Sequence, residues 1–270
     1  LIRQTALEAG VDASLASQSG LIVLHGRPLK EIPHLVKQLE AQAVFANHDD
    51  EPQALARDAQ IRGALANAGV NAAFIDCERS GIGLDVATEL IRAAKVTGLT
   101  SLVRSWSKDP AVLVQFMDRQ VDGLVVPHIN CAQDAIDVVE LVRYACGNDK
   151  APHKIIIVQI ETRQAIEALD EIMAVPGIDA YLIGPNDLAY SLMGQRSAKT
   201  PEVLAAVASI SKRLKAAGKP FGMPAKFDEL PDFLAAGATL LYYPIEWLLS
   251  SALKELTTRI ETLKPPINPA

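Results

Sequence analysis

The chain has 270 residues, 49% hydrophobic and 21% charged, which is enough apolar material for a large core and excludes a mainly disordered chain. A formal net charge of −6 offers nothing to gather a phosphate backbone, so nucleic acid is not an expected partner. The apolar runs, such as Ile155–Val158, are far too short to span a bilayer, and no basic-then-apolar leader opens the sequence, so neither a membrane span nor a secretory signal is expected.

Short β-branched runs alternate with amphipathic stretches along the chain. Strands are expected at Leu21–His25, Ala43–Asn47, Ala72–Asp76, Ser101–Trp106, Gly123–His128, Lys154–Glu161, Ala180–Gly184, Pro220–Pro224 and Thr239–Pro244. Helices are expected at Pro52–Ala68, Leu84–Thr97, Ala111–Arg119, Ala132–Arg143, Arg163–Met173, Pro201–Ala217, Phe227–Ala236 and Ile245–Leu263. This alternation requires a parallel sheet with right-handed crossovers. Gly98, Gly218 and Gly237 each stand between a helix and the next strand, where a helix C-terminus calls for glycine. The Pro-rich end, Lys264–Ala270, reads as a tail. Cys77, Cys131 and Cys146 lack metal-knuckle spacing and read as reduced thiols of a cytoplasmic protein.

Polar residues follow the strand ends: Asp76, Glu78, Arg104, His128, Glu161 and Asp187. Sites at the carboxyl ends of strands suit both a (β/α)8 barrel and an open doubly wound sheet. The dinucleotide-binding version of the open sheet is disfavoured, because Gly81-Ile82-Gly83 lacks a third glycine at the required spacing. Glu161 and Asp187 follow consecutive apolar strands, and neighbouring strands lie about 4.8 Å apart. The two carboxylates could converge on one hard divalent cation. Spacing alone equally allows both to be helix caps. Gly184-Pro185 makes a tight turn whose backbone N–H groups suit a ligand carboxylate. Arg104 could hold a carboxylate or an enolate oxygen, or form a structural ion pair at the rim. His25, His34, His128 and His153 lack metal spacing and read as surface or satisfied histidines, with His128 best placed to reach a site. His48-Asp49-Asp50 reads as a solvated loop, and Trp106 and Trp247 as packing residues.

From about Ala68 to Leu263 the sequence resembles the HpcH/HpaI aldolase and citrate lyase family. The resemblance is carried in order by Ala68–Glu78, Leu102-Val103-Arg104-Ser105-Trp106, Gly123–His128, Val158-Gln159-Ile160-Glu161-Thr162 and Ile183-Gly184-Pro185-Asn186-Asp187-Leu188. It implies an α/β fold of the (β/α)8 TIM-barrel type and a class II aldolase site. The implied cofactor is a divalent metal, magnesium or manganese, held by Glu161 and Asp187, and the implied substrate is a small 2-keto acid such as pyruvate. Arg104 would steady the pyruvyl oxygen, Gln159 would line the site, and Gly184 and Pro185 would meet the carboxylate. Asp76, like Arg104, would be a catalytic residue, and the acid/base dyad of the family would use the histidine three residues after it. Two features depart from the family. Its aldolases read Asp-x-Glu-His after the second strand, whereas this run is Asp76-Cys77-Glu78-Arg79. The long loop usual between the fourth and fifth strands is also replaced by only Tyr144–His153.

The first seventy residues are different. Gly20–Val70 resembles the N-terminal α/β domain of DNA photolyases and cryptochromes, through Gly20–Pro28, Glu31-Ile32-Pro33, Ala43–Pro52 and Ala56-Arg57-Asp58. The helical domain that binds FAD in those proteins is missing, so no FAD is expected. The sequence therefore reads as a chimera. Residues 1–42 would be a photolyase-like α/β extension, 43–263 the barrel and 264–270 the tail. Ala43–Asn47 would serve as the first barrel strand. The function expected is a metal-dependent carbon–carbon lyase. A recombined scaffold that keeps the fold and metal binding, and an acyl-CoA lyase of the citrate lyase type, stay open. Homo-oligomerisation is also left open.

Overall fold

In the computed structural model, which describes residues 71–147, 153–224 and 226–263, parallel strands alternate with helices. β1 (Ala72–Asp76), α1 (Leu84–Val96), β2 (Thr100–Arg104), α2 (Pro110–Asp118), β3 (Gly123–Val126) and α3 (Ala132–Cys146) come first. They are followed by β4 (Ile155–Ile160), α4 (Arg163–Glu167), α5 (Leu169–Ala174), β5 (Ala180–Ile183), α6 (Pro185–Met193) and α7 (Pro201–Ala216). β6 (Phe221–Pro224), α8 (Leu230–Ala236), β7 (Leu240–Tyr242) and α9 (Ile245–Leu263) complete the described order.

Each strand is hydrogen-bonded to its successor, in the order β1 to β7. Strand side chains alternate between two apolar environments, as a period of two demands. Leu102, Val125, Ile157, Ala180 and Leu182 form one cluster with Phe74 and Tyr242 inside the sheet. Their neighbours Ile75, Val103, Leu124, Ile156, Val158 and Ile183 pack outward with helix residues such as Ile91, Leu113 and Val138. The rings of Phe74 on β1 and Tyr242 on β7 lie 4.3 Å apart, centroid to centroid. The sheet has therefore curled until its two ends face each other across the interior. This is a (β/α)8 TIM barrel with seven strands described. Ala43–Asn47, expected as the strand between β7 and β1, lies outside the described residues, as do Leu21–His25 and Pro52–Ala68.

Two glycines allow strands to approach closely. A Cβ on Gly222 would stand 1.8 Å from the Leu240 carbonyl oxygen, and one on Gly123 would stand 2.6 Å from Leu102 Cδ2. Only a residue without a side chain fits at either place.

Three expectations are corrected by the structure. Arg163–Met173, expected as one helix, is two, because Ala168 takes φ −89° and ψ 9°; the break swings Leu169 and Ile172 into full burial. The segment after β5 is not only a turn: Pro185 occupies the first turn of α6, where its missing N–H costs nothing. The third strand stops at Val126 rather than His128, because Pro127 cannot donate to a ladder and His128 adopts φ 58°.

Candidate active site

The strand period places the polar residues. Phe74 and Leu102 point inward, so Asp76 and Arg104, two residues on, do so too. Ile157 points inward, and Gln159 and Glu161 share its parity. All four lie at the carboxyl ends of strands, where barrel loops gather functional groups. A cavity of about 520 Å³ opens there, lined by Asp76, Arg79, Arg104, Gln159, Gly184, Pro185, Asp187, Arg196, Tyr242 and Trp247. Trp247, expected as a packing residue, thus faces the cavity; its ring also lies edge-on to Tyr243.

Asp76 and Arg104 are register partners on adjacent strands. Arg104 Nε and Nη2 donate to the two Asp76 oxygens at 2.9 and 2.6 Å. The backbone N–H groups of Glu78 and Arg79 also donate to Asp76 Oδ1, at 3.0 and 3.1 Å. Burial opposes ionisation of Asp76, but the Arg104 bond and charge and these two amides outweigh it, so its carboxyl sits below the ordinary range. A carboxylate so occupied is a weak base and a strong anchor. Arg104 Nη1 lies 3.2 Å from Glu78 Oε2 as well. Burial pushes Glu78 up, and the charge of Arg104 offsets only part of that. The same burial lifts the Cys77 thiol to about 12, so it stays protonated.

Glu161 is 1% exposed. Its Oε1 accepts the His128 backbone N–H at 2.8 Å and lies 3.1 Å from His128 Nδ1, while Gln159 Nε2 donates to its Oε2. The positive φ of His128 brings that N–H onto the carboxylate. Burial works against the charged form of Glu161, yet the His128 and Gln159 bonds prevail and hold its carboxyl low. His128 is raised, first by the bond to Glu161 and despite partial burial. Its Nε2 lies 3.6 Å from Glu78 Oε1, so the ring bridges two carboxylates.

Asp187, in the first turn of α6, is ion-paired with Arg79, and Arg196 Nη2 lies 3.4 Å from the same oxygen. The arginine at the expected histidine position therefore sits on one of the two expected metal ligands. The Gly184 N–H is not bare either: it donates to the Ile160 carbonyl at 3.1 Å. Because Pro185 has no N–H, the groups left for a ligand carboxylate are the first-turn amides of α6 at Asn186 and Asp187. Arg196, Tyr242 and Trp247 carried no signal in the sequence. Among the described histidines, His153 is 2.8 Å from Asp179 at the opposite end of the strands, as a surface residue should be.

The residues present fit a divalent cation. Gln159 Oε1 is buried and accepts no hydrogen bond from the described residues. A Cβ on Gly184 would lie 3.1 Å from Glu161 Oε2 and 3.2 Å from Gln159 Nε2, so glycine lets the turn pack closely against the carboxylate and amide at the edge of the cavity. Carboxylate and amide oxygens at such an edge are the donors that a hard ion takes.

The family model described as HpcH/HpaI aldolase/citrate lyase matches residues 55–241. The chain belongs to the HpcH/HpaI aldolase/citrate lyase family. It is 30% identical over 180 residues to a pyruvate aldolase of Rhizobium etli, covering 59% of this chain and 71% of that protein. It is 26% identical over 229 residues to a 4-hydroxy-2-oxo-heptane-1,7-dioate aldolase of Shigella sonnei, covering 76% of this chain and 87% of that one. Its fold is shared with an HpcH/HpaI family protein from Burkholderia cenocepacia, with a TM-score of 0.66, 23% identity and coverage of 75% of this chain and 90% of that one. A second family model, DNA photolyase, matches residues 7–78. The two matches overlap, so β1 and the Asp76–Glu78 segment of this HpcH/HpaI chain fall within both. No described helix is long and apolar enough to cross a membrane.

Proposed function

We propose that the chain is a divalent-metal-dependent carbon–carbon lyase of the pyruvate-aldolase type, acting on a small 2-keto acid. The observation that carries this is the buried, hydrogen-bonded pair Gln159–Glu161 packed against Gly184, at a cavity lined by Gln159, Arg104 and Asp187. Glu161 and Asp187 would hold the cation, with magnesium or manganese expected from the oxygen donors. When bound, the metal supplies Lewis-acid stabilisation of the negative charge that develops on the keto oxygen.

The chain's own residues would do the rest. Arg104, fixed by Asp76, presents a permanent positive charge to the substrate oxygens. The α6 N-terminus meets the carboxylate. Leu182, Tyr242 and Trp247 line the cavity and limit water. Asp76 orients Arg104 and, with its oxygens taken, moves few protons. Arg79 cannot accept a proton near neutral pH. The expected activity is therefore slow.

Exchange of pyruvate methyl protons with deuterated water, followed by NMR, tests this reading. Exchange should need added magnesium or manganese and should disappear in Glu161→Gln. Exchange that survives complete chelation would overturn the assignment. We further propose a cytoplasmic location and the division into residues 1–42, 43–263 and 264–270.

A second reading is favoured by the Arg79–Asp187 pair together with the photolyase match. In it the chain is a recombined scaffold that keeps the barrel and metal binding without efficient catalysis. Metal-dependent stabilisation with no proton exchange would select it.

A further inference from the structure

We propose that Glu78, His128 and Glu161 form a second cation seat, which takes a transition-metal ion of the zinc, cobalt or manganese class. The proposal rests on the reading of Glu161 as a metal ligand and gives it a different partner. One ligand atom from each of the three residues lies within 4.8 Å of the other two. His128 Nδ1 is 3.1 Å from Glu161 Oε1, and His128 Nε2 is 3.6 Å from Glu78 Oε1. An imidazole gives a single nitrogen to an ion, so the seat is defined by one nitrogen of His128 with one oxygen from each glutamate, atoms that all lie within 4.8 Å of one another.

Three independent features support the seat. The first is burial. The side chains of Glu78 and Glu161 are 8% and 1% exposed. Among the described residues Glu78 Oε2 makes no hydrogen bond and has only the ion-pair contact with Arg104 Nη1 at 3.2 Å. Buried acceptors without donors are costly, and a cation is one remedy. The second is backbone geometry. His128 holds φ 58°, a conformation unfavourable for a residue with a Cβ, and thereby fixes its amide on Glu161 Oε1. The ring is set beside the carboxylate by the Nδ1–Glu161 contact, with the side chain still 49% exposed.

The third is charge. A cation shared by Glu161 and Asp187 must displace Arg79 and Arg196 from Asp187 and then keep two guanidinium groups close by. At the other seat Arg104 is already bound at both oxygens of Asp76, while Arg79 acts on Glu78 through its charge alone. With the charge of Arg104 balanced by Asp76, the two carboxylates there are offset less than Glu161 and Asp187 are by the two arginines on Asp187. Because Glu161 belongs to both seats, an ion occupies one or the other. An imidazole ligand also moves the preference from magnesium, which favours all-oxygen sites, towards metals that bind nitrogen.

The test titrates the untagged full chain, stripped of metal, with cobalt(II) and separately with magnesium, by calorimetry and visible absorption. Cobalt(II) should bind about tenfold or more tightly than magnesium and give a visible band. His128→Asn, chosen because Asn tolerates positive φ, and Glu78→Gln should each weaken cobalt binding about tenfold or more. Asp187→Asn should leave it nearly unchanged, and Glu161→Gln should abolish it. If Asp187→Asn abolishes cobalt binding while the other two variants do not weaken it, the seat is overturned and the Glu161–Asp187 reading stands. If the chain binds neither metal, both fall.

Discussion

Under the proposed aldolase reading, Arg79 is the residue that limits activity. By the resemblance it stands where a histidine is expected, and it spends its charge on Asp187. An exposed ion pair of this kind contributes about 1 kcal/mol or less, so its removal should not unfold the chain. Arg79→His should free Asp187 and restore a group able to carry protons. Pyruvate proton exchange should then rise by about 10²-fold or more, the usual contribution of a placed acid/base group. An unchanged rate in a folded variant would remove position 79 from the account. A second residue-scale prediction concerns the Glu161–His128 pair in metal-free protein. His128 is raised above its ordinary 6.5, so its contribution to stability is complete below 6.5 and is lost as pH rises through the raised value. Glu161 is lowered below 4.5, so its contribution is complete above 4.5 and is lost as pH falls through the lowered value. The pair therefore stabilises most between 4.5 and 6.5. Urea midpoints should decline as pH rises above 6.5 in the parent and less in His128→Asn. Equal declines would show that this pair is not the source.

At the level of elements, close packing of strands makes the sharpest forecast. Gly222→Ala would drive a methyl group into the Leu240 carbonyl, 1.8 Å from the new atom. The β6–β7 pairing must shift, at a cost of about 1–3 kcal/mol or more. Chemical denaturation measures this directly, and a neutral result would mean that β7 slides freely. These elements were unevenly legible in the sequence. Ala72–Asp76 and Ile245–Leu263 were readable to the residue, because an apolar run with clear punctuation admits one period. Strand ends ran too far at Trp106, His128 and Glu161, since a polar residue after an apolar run looks the same whether or not it still pairs. α6 was missed because Gly184-Pro185 signals a turn and a helix start alike. The site divides in the same manner. Asp76, Arg104 and Glu161 were readable as polar residues at the ends of three apolar strands, and Gln159 through the resemblance to the family. Arg196, Tyr242 and Trp247 come to the cavity from separate segments, and no local spacing encodes that meeting. Glu78 and His128 were visible as strand-end polar residues, but their convergence on Glu161 depends on a positive φ that histidine does not advertise.

For the molecule as a whole, the strand order is the sequence order, so each βα unit relies chiefly on its neighbours. That arrangement lets the segment before Ala43 be treated as dispensable. Deleting Leu1–Glu40 should leave a chain that still unfolds cooperatively in urea, though with lower solubility. Loss of the cooperative transition would mean that Leu21–His25 is part of the barrel wall. The contact between Phe74 and Tyr242 has a bearing on how such a chain could arise by recombination. Those two rings already meet across the place where the wall between β7 and β1 must be completed. The interior there is filled from both sides, so a completing segment is asked mainly for backbone donors and acceptors. Nearly any strand-forming sequence can supply those, whatever its ancestry. An exchange of genetic material at this seam would therefore ask little of side-chain identity on the interior face.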